Sequence, residues 1–175
     1  NENIGRLISE LTKLPPLIEE LLETHNQSSE KLAHDFFNIK DVIFLGRGIN
    51  YPIALEGALK LKEISYIHAQ GYPAGELKHG PIALLDQHVP VVSIAVPGIV
   101  YEKVLSNSQE AKARDARLIG VSTHRSESEM FDELFTIPKV SEWVSPLLTV
   151  VPLQLFSYHI AAHKGLDVDQ PRNLA

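Results

Sequence analysis

The stretch DVIFLGRG, Asp41–Gly48, decides the fold of this chain. The apolar run Val42–Leu45 is followed at once by two glycines, and the helix-like segment Tyr51–Ser65 comes next. A strand buried on both faces reads as a continuous apolar run, and glycines permit the tight turn that leads into a helix. The stretch therefore predicts a strand, a turn and a helix in direct succession.

The same alternation continues along the rest of the chain. Further strands are predicted at Val89–Val96, Arg117–Val121 and Leu134–Ile137, with a short one near Tyr66–His68, and further helices at Val100–Arg114 and Trp143–Lys164. Strands that alternate with amphipathic helices favour a parallel sheet covered on both faces. The predicted fold class is α/β, a three-layer sandwich with a mostly parallel sheet flanked by helices. Ligands of such folds bind in the loops that follow the strands.

The first forty residues differ from the rest. They contain three helix-like pieces, at Asn3–Leu14, Pro16–Leu22 and Ser28–Phe37, and two prolines separate the first two. Proline both ends one helix and suits the first turn of the next. We therefore predict a helical connector over residues 1–40, one compact domain over residues 41–165, and a tail over residues 166–175.

Composition excludes several classes of protein. There is no cysteine, so disulfides, a thiolate nucleophile and cysteine-based zinc sites are ruled out. The net charge of −6, with acids and bases mixed, provides no basic surface for nucleic acid. The apolar runs Val89–Pro97 and Ser145–Phe156 are shorter than the roughly 20 residues that span a bilayer. We expect a soluble, cytoplasmic protein with no nucleic-acid or membrane partner.

Three charged residues on the helix Tyr51–Ser65 are candidates for chemistry. Glu56, Lys60 and Glu63 recur at spacings of four and three, which places them on one face. Such a stripe is commonly a solvated, salt-bridged surface. A carboxylate beside an ammonium is also what an aldose–ketose rearrangement needs, since a base moves the proton and a cation favours the negative intermediate.

A second candidate lies in the polar, glycine- and proline-rich segment Gln70–Pro81. Segments of this kind carry function more often than cores do. If Pro81 starts a helix over Ile82–Leu85, His79 stands at its amino terminus, where the dipole disfavours imidazolium. A neutral imidazole can accept and donate a proton, as opening a sugar ring requires. A histidine that caps or packs against the helix fits the same pattern.

Three other sequence patterns give only weak indications of a dinucleotide or metal site. The loop after Val42–Leu45 lacks the third glycine and the distant acid of a dinucleotide site. His159 and His163 have a zinc spacing without the remaining ligands, and Asp167 with Asp169 is too sparse for a hard cation. No metal and no cofactor is predicted.

The loops that follow the later strands offer few groups for binding an anion. No hydroxyl cluster for a phosphate follows Val96, where the loop begins Pro97-Gly98. The loop 122–126 (STHRS) is a candidate anion loop, although an ordinary exposed loop is the favoured interpretation.

Three stretches together resemble one known family. Residues 44–48 with 54–63, then residues 76–81 (ELKHGP), then residues 167–175 (DVDQPRNLA) are similar in order and spacing to the second sugar-isomerase (SIS) domain of the glucosamine-6-phosphate synthase family. The resemblance implies an SIS-type sandwich with flavodoxin-like topology. It also implies a part of an enzyme that makes glucosamine 6-phosphate from fructose 6-phosphate and glutamine-derived ammonia.

The resemblance assigns roles residue by residue. Glu63 matches the acid/base that carries a proton between C1 and C2, and Lys60 matches the lysine beside it. His79 matches the ring-opening histidine, which in that family crosses a homodimer interface into the neighbour's site. Ala175 matches the substrate-binding residue just before the lysine that forms a Schiff base with the sugar.

The resemblance also implies missing parts. The sequence stops one residue before the Schiff-base lysine, and it lacks the glutaminase and the first SIS domain that holds the phosphate. We therefore expect this piece alone to be inactive. The alternative from another class is a non-catalytic module that senses a sugar phosphate or dimerises.

Overall fold

The computed structural model of the chain describes residues 2–123 and 129–173. A five-stranded sheet forms its centre, with β1 at Asp41–Gly46, β2 at His68–Pro73, β3 at Val91–Ile94, β4 at Leu118–Ser122 and β5 at Glu133–Thr136. The spatial order is β2-β1-β3-β4-β5, and each pair of neighbours is parallel. This order is flavodoxin-like, so the predicted α/β class and topology are confirmed.

Helices cover both faces of the sheet. They are α1 at Glu2–Leu11, α2 at Leu14–Phe36, α3 at Tyr51–Ser65, α4 at Tyr101–Lys112 and α5 at Ser145–His163. Phe44 faces a core shared with α2, α3 and α5, whereas its neighbour Leu45 faces a second core shared with α4. Successive side chains of a strand point to opposite faces, which is why one apolar run supplies both cores. Within the described ranges, no helix is long and apolar enough to cross a membrane.

The prediction of two separate helices over residues 16–37 is wrong. A single helix, α2, runs from Leu14 to Phe36 through the polar segment between them. Its buried positions include Leu21, His25 and Ser29, which recur every four residues and keep one face on the core. His25 Nε2 lies 2.7 Å from the Thr136 carbonyl, which ties this part of the helix to β5. Tertiary packing therefore overrides the weak local helix propensity.

The strand predicted near Tyr66–His68 is shifted. β2 extends to Pro73 and so takes in the first part of the glycine- and proline-rich segment. It pairs with β1 from Asp41–His68 to Gly46–Pro73, and it forms the edge of the sheet. An edge strand tolerates glycine and proline because only one side needs a ladder of hydrogen bonds.

Gly57 lets α3 pack closely against the core. A Cβ placed there would lie 2.8 Å from Leu153 Cδ1 and 2.9 Å from Phe44 Cε1. Both of those side chains are fully buried and have no room to retreat. We expect Gly57→Ala to lower the free energy of unfolding by about 1–3 kcal/mol, because overpacking outweighs the higher helix propensity of alanine. Urea unfolding followed by circular dichroism measures the change.

The matched control is Gly5→Ala in α1. Nothing lies within 4 Å of a Cβ added at Gly5. The same exchange there is expected to be neutral, or to stabilise by up to about 1 kcal/mol through helix propensity. Equal effects of the two variants would contradict the packing explanation for Gly57.

Candidate functional site

Helix α3 positions the first group of candidate residues. Ala54, Ala58 and Leu61 are at most 1% exposed and fix the helix against the sheet and α5. Pro52 stands in the first turn, where its missing N–H leaves no hydrogen bond unmade. The opposite face carries Lys60 and Glu63, whose side chains are 34% and 26% exposed. The packing of one face therefore sets the direction of the charged side chains on the other.

Lys60 and Glu63 form a close ion pair. Lys60 Nζ donates to Glu63 Oε2 at 2.6 Å, and Glu56 Oε1 lies 3.9 Å from the same nitrogen. The hydrogen bond to Glu63 raises the pKa of Lys60 above the usual lysine value, the charges of Glu63 and Glu56 add to this, and burial opposes it. Since a raised pKa keeps the cation to higher pH, Lys60 stays an ammonium through neutral pH. A carboxylate held beside a fixed cation is suited to moving a proton.

The tail returns to the end of α3 close to this pair. Arg172 N donates to Tyr66 Oη at 2.9 Å, and the guanidinium of Arg172 lies 4.0 Å from the centre of the Tyr66 ring. Lys164 Nζ donates to the Ser65 carbonyl at 2.9 Å, which anchors the end of α5 to the same place. The last described residues of the tail therefore lie beside a residue only three positions after Glu63.

The bend that starts the tail depends on Asp167. Its Oδ1 accepts the backbone N–H of Asp169 at 2.9 Å and of Gln170 at 3.0 Å. The carboxylate thus fixes a turn, a common use of aspartate. Ala175, the predicted substrate-binding residue, lies outside the described residues.

Tyr66, Lys164 and Arg172 were missed by the sequence reasoning. Tyr66 adopts a left-handed conformation with φ 59°, which ends α3 and places its ring under the tail. Glycine or asparagine is the usual residue at such a position, so no sequence signal marks the tyrosine. The contact between tail and helix is long-range and becomes visible only in the folded chain.

His79 is carried by a separate element. A 3-10 helix at Ala74–His79, called the histidine turn below, buries Ala74 and Leu77 completely. Lys78 Nζ lies 2.7 Å from Glu110 Oε1 of α4, which ties the turn to that helix. The His79 side chain is 69% exposed. The turn is therefore anchored to the protein while its histidine points away from it.

The helix predicted after His79 is present only as a short 3-10 helix. No α-helix starts at Pro81: His79 ends one 3-10 helix, and Pro81–Leu84 forms a second, four-residue one. So short an element has little dipole to act on an imidazole. Instead, His79 Nδ1 lies 2.7 Å from Glu76 Oε2. The partner of the histidine is a carboxylate within its own turn.

The fold separates His79 from the Lys60–Glu63 pair. α3 leaves the carboxyl end of β1 and returns to the amino end of β2, because these strands are parallel neighbours. Glu63, two residues before the end of α3, is therefore near the amino edge of the sheet, whereas His79 follows the carboxyl end of β2. A six-residue strand spans about 16–20 Å. The structure brings Lys60 and Glu63 together and leaves His79 at the other end.

The remaining candidates have structural partners. His159 Nε2 lies 2.8 Å from Asn26 Oδ1, and the His163 ring packs edge-on against Phe37 with 4.8 Å between centroids. Among residues 2–123 and 129–173, no group of three histidine, aspartate or glutamate side chains is placed to hold a metal ion. In the candidate anion loop 122–126, the positions from 124 onward lie outside the described residues.

Comparison with known proteins shows the family to which this chain belongs. Residues 35–164 match the family model described as SIS domain, so the chain belongs to the SIS-domain family. The matched residues include all five strands and the Lys60–Glu63 pair of α3.

Two curated relatives are similar over nearly the whole chain. The glutamine–fructose-6-phosphate aminotransferase [isomerizing] of Thermosynechococcus vestitus is 66% identical over 98% of this chain, and that of a Nostoc species is 65% identical over 99%. The chain spans 28% of the length of each.

A solved structure is similar in both sequence and fold. The C-terminal domain of glucosamine-fructose-6-phosphate aminotransferase from Francisella tularensis is 42% identical, with a TM-score of 0.90. The match covers 97% of this chain and 48% of that one. That structure therefore holds about twice the length of chain described here.

Proposed function

We propose that this chain is the second isomerase domain of a glutamine–fructose-6-phosphate aminotransferase. In the complete protein it would help to convert fructose 6-phosphate and glutamine-derived ammonia into glucosamine 6-phosphate. The observation that carries the proposal is the Lys60–Glu63 pair, held at 2.6 Å on a helix whose other face is fully packed. The chain's 66% identity to an enzyme of that name supports a sugar phosphate as the substrate of the pair.

Glu63 is the proposed acid/base. Converting a 2-ketose to a 2-aminoaldose requires a proton to leave C1 and a proton to arrive at C2. These carbons are adjacent, so one carboxylate can serve both. The Lys60 ammonium beside that carboxylate favours negative charge that develops on the substrate. The pair thus supplies both functions from two neighbouring turns of one helix.

The tail is proposed to bring the sugar to this pair. The resemblance to the synthase family implies a Schiff-base lysine directly after Ala175. The contacts of Arg172 with Tyr66 support this, because they direct the tail to the end of α3 that carries Glu63. Ala175 would then contact the substrate beside the lysine that follows it.

His79 is proposed to act in the site of a second subunit. Its position at the opposite end of the fold from Glu63 argues against a joint site within one chain. A twofold dimer can place the histidine turn of one copy next to α3 of the other, and it does so twice by symmetry. The homodimer would then be a condition of activity.

The rest of the longer protein is proposed to cover α1. Ile4, Leu7, Ile8 and Leu11 of that helix are 39–56% exposed, and the nearby Trp143 is 77% exposed. Together with the neighbouring polar residues, α1 and Trp143 line a groove of about 540 Å³. A contiguous apolar patch of this kind marks a surface for another domain. A preceding SIS domain that holds the phosphate fits this position.

The proposal predicts the activity of the complete gene product. With fructose 6-phosphate and glutamine, it should release glucosamine 6-phosphate and glutamate in equal amounts, as mass spectrometry of the products would measure. Tight binding of fructose 6-phosphate without any product would contradict the proposal and favour the non-catalytic sensing module.

A further inference from the structure

The histidine turn holds a carboxylate and an imidazole in a fixed relation. In a 3-10 helix, residues three apart lie directly above one another, and Glu76 and His79 have this spacing. The distance of 2.7 Å between Glu76 Oε2 and His79 Nδ1 is that of a strong hydrogen bond. The helix type is thus the physical reason that the two side chains meet.

We propose that Glu76 is the positioning residue of His79. This inference rests on the proposed function. A carboxylate at Nδ1 selects the tautomer that carries its proton there, which leaves the lone pair on Nε2. Nε2 then points away from the turn as the atom that meets the substrate. Without Glu76, the ring is free to rotate and to exchange tautomers.

The proton transfer that needs this tautomer is ring opening. Nε2 takes the proton of the anomeric hydroxyl of fructose 6-phosphate, the bond between C2 and O5 breaks, and a carbonyl forms at C2. The proton on the imidazolium then passes to O5. No atom or electron pair is gained or lost, and His79 returns to its starting tautomer with Glu76 still bound to Nδ1.

The contact between Glu76 and His79 is not needed to hold the histidine turn in place. The side chains of Glu76 and His79 are 59% and 69% exposed, and exposed ion pairs contribute little to stability. The turn is held instead by buried Leu77 and by the Lys78–Glu110 ion pair. Gly80 follows His79 with φ 142°, a conformation that other residues rarely adopt, so the chain leaves the turn at once. The turn therefore stays in place when Glu76 is changed.

An open-chain substrate tests the role directly. 5-Deoxyfructose 6-phosphate lacks the hydroxyl that closes the furanose ring, so it needs no ring opening. In the complete enzyme, we expect Glu76→Ala to lower kcat/KM for fructose 6-phosphate about 10- to 100-fold. For the open-chain analogue, kcat/KM should stay within about twofold of wild type, because His79 is not used. Glu76→Gln should lie between, since its amide oxygen still accepts the Nδ1 proton.

Two reference variants separate the possible outcomes. Glu102→Gln, an exposed carboxylate on the first turn of α4, should leave both substrates unaffected. His79→Ala should show the same selective loss as Glu76→Ala, only larger. If His79→Ala is selective and Glu76→Ala retains wild-type values, or loses both substrates equally, the positioning role is overturned while the proposed function stands. Failure of the wild type to turn over either substrate overturns both.

Discussion

Glu63→Gln in the complete enzyme is expected to lower the rate of glucosamine 6-phosphate formation at least about 100-fold. General acid/base catalysis contributes about 10²–10⁴-fold, and glutamine cannot take the proton from C1. The amide is nearly isosteric and still accepts the hydrogen bond from Lys60, so the fold is preserved. Release of glutamate from glutamine should continue, because the proposed function assigns that reaction to another part of the complete protein.

The control for this variant lies on the same face of α3. Glu56 is 3.9 Å from Lys60, against 2.6 Å for Glu63, and it carries the same charge. Glu56→Gln should lower the rate less than about 10-fold, because it removes only a distant charge. A Glu63→Gln enzyme that keeps wild-type synthase activity, or a larger loss for Glu56→Gln, would contradict the assignment.

Mixing two inactive enzymes is expected to restore activity. One variant carries His79→Ala and the other Glu63→Gln. In a hybrid dimer, one site receives both defects and the other receives an intact Glu63 and an intact His79. Random exchange of equal amounts gives hybrids as half of all dimers, so about a quarter of the wild-type activity should return.

The hybrid must be demonstrated independently. Different affinity tags on the two variants allow the hybrid dimer to be isolated by two successive purifications. Purified hybrid should then show about half of wild-type activity, since one of its two sites is intact. A purified hybrid with no activity would contradict the shared site, because both sites are defective only if His79 acts within its own chain.

Strand β1 and helix α3 could be predicted because their signals are local and concordant. An apolar run, two glycines and a proline at the start of α3 all favour the same turn, whereas the strand order was expected only from the resemblance to the SIS family. The charged face of α3 was predictable for the same reason, since helical spacing alone places Lys60 beside Glu63.

The errors came where long-range contacts decide the structure. α2 continues through a polar segment because His25 contacts β5 and Ser29 is buried on the same face of the helix. β2 extends to Pro73 because β1 offers a parallel edge to pair with. Neither partner can be read from the segment itself. The division of the chain at residue 40 stays a prediction, and α2 shares its core with α5.

The candidate residues of the site could be predicted from the sequence, but several of their contacts could not. Lys60, Glu63 and His79 were identified from spacing and from family resemblance, and their catalytic roles stay predictions. The local partner of His79 was not foreseen, because a 3-10 helix rather than an α-helix surrounds it. The contact between Tyr66 and Arg172 could not be predicted from the sequence, since it joins residues that are 106 positions apart.

Exchange of the C1 proton of fructose 6-phosphate with D₂O tests the central claim most directly. The complete enzyme is incubated with fructose 6-phosphate and glutamine in D₂O, and deuterium at C1 of the remaining substrate and at C2 of the glucosamine 6-phosphate formed is followed by NMR. We predict exchange at both carbons for wild type and an exchange rate lowered at least about 100-fold for Glu63→Gln. Exchange at the wild-type rate in Glu63→Gln would contradict the account, because another group would then move the proton.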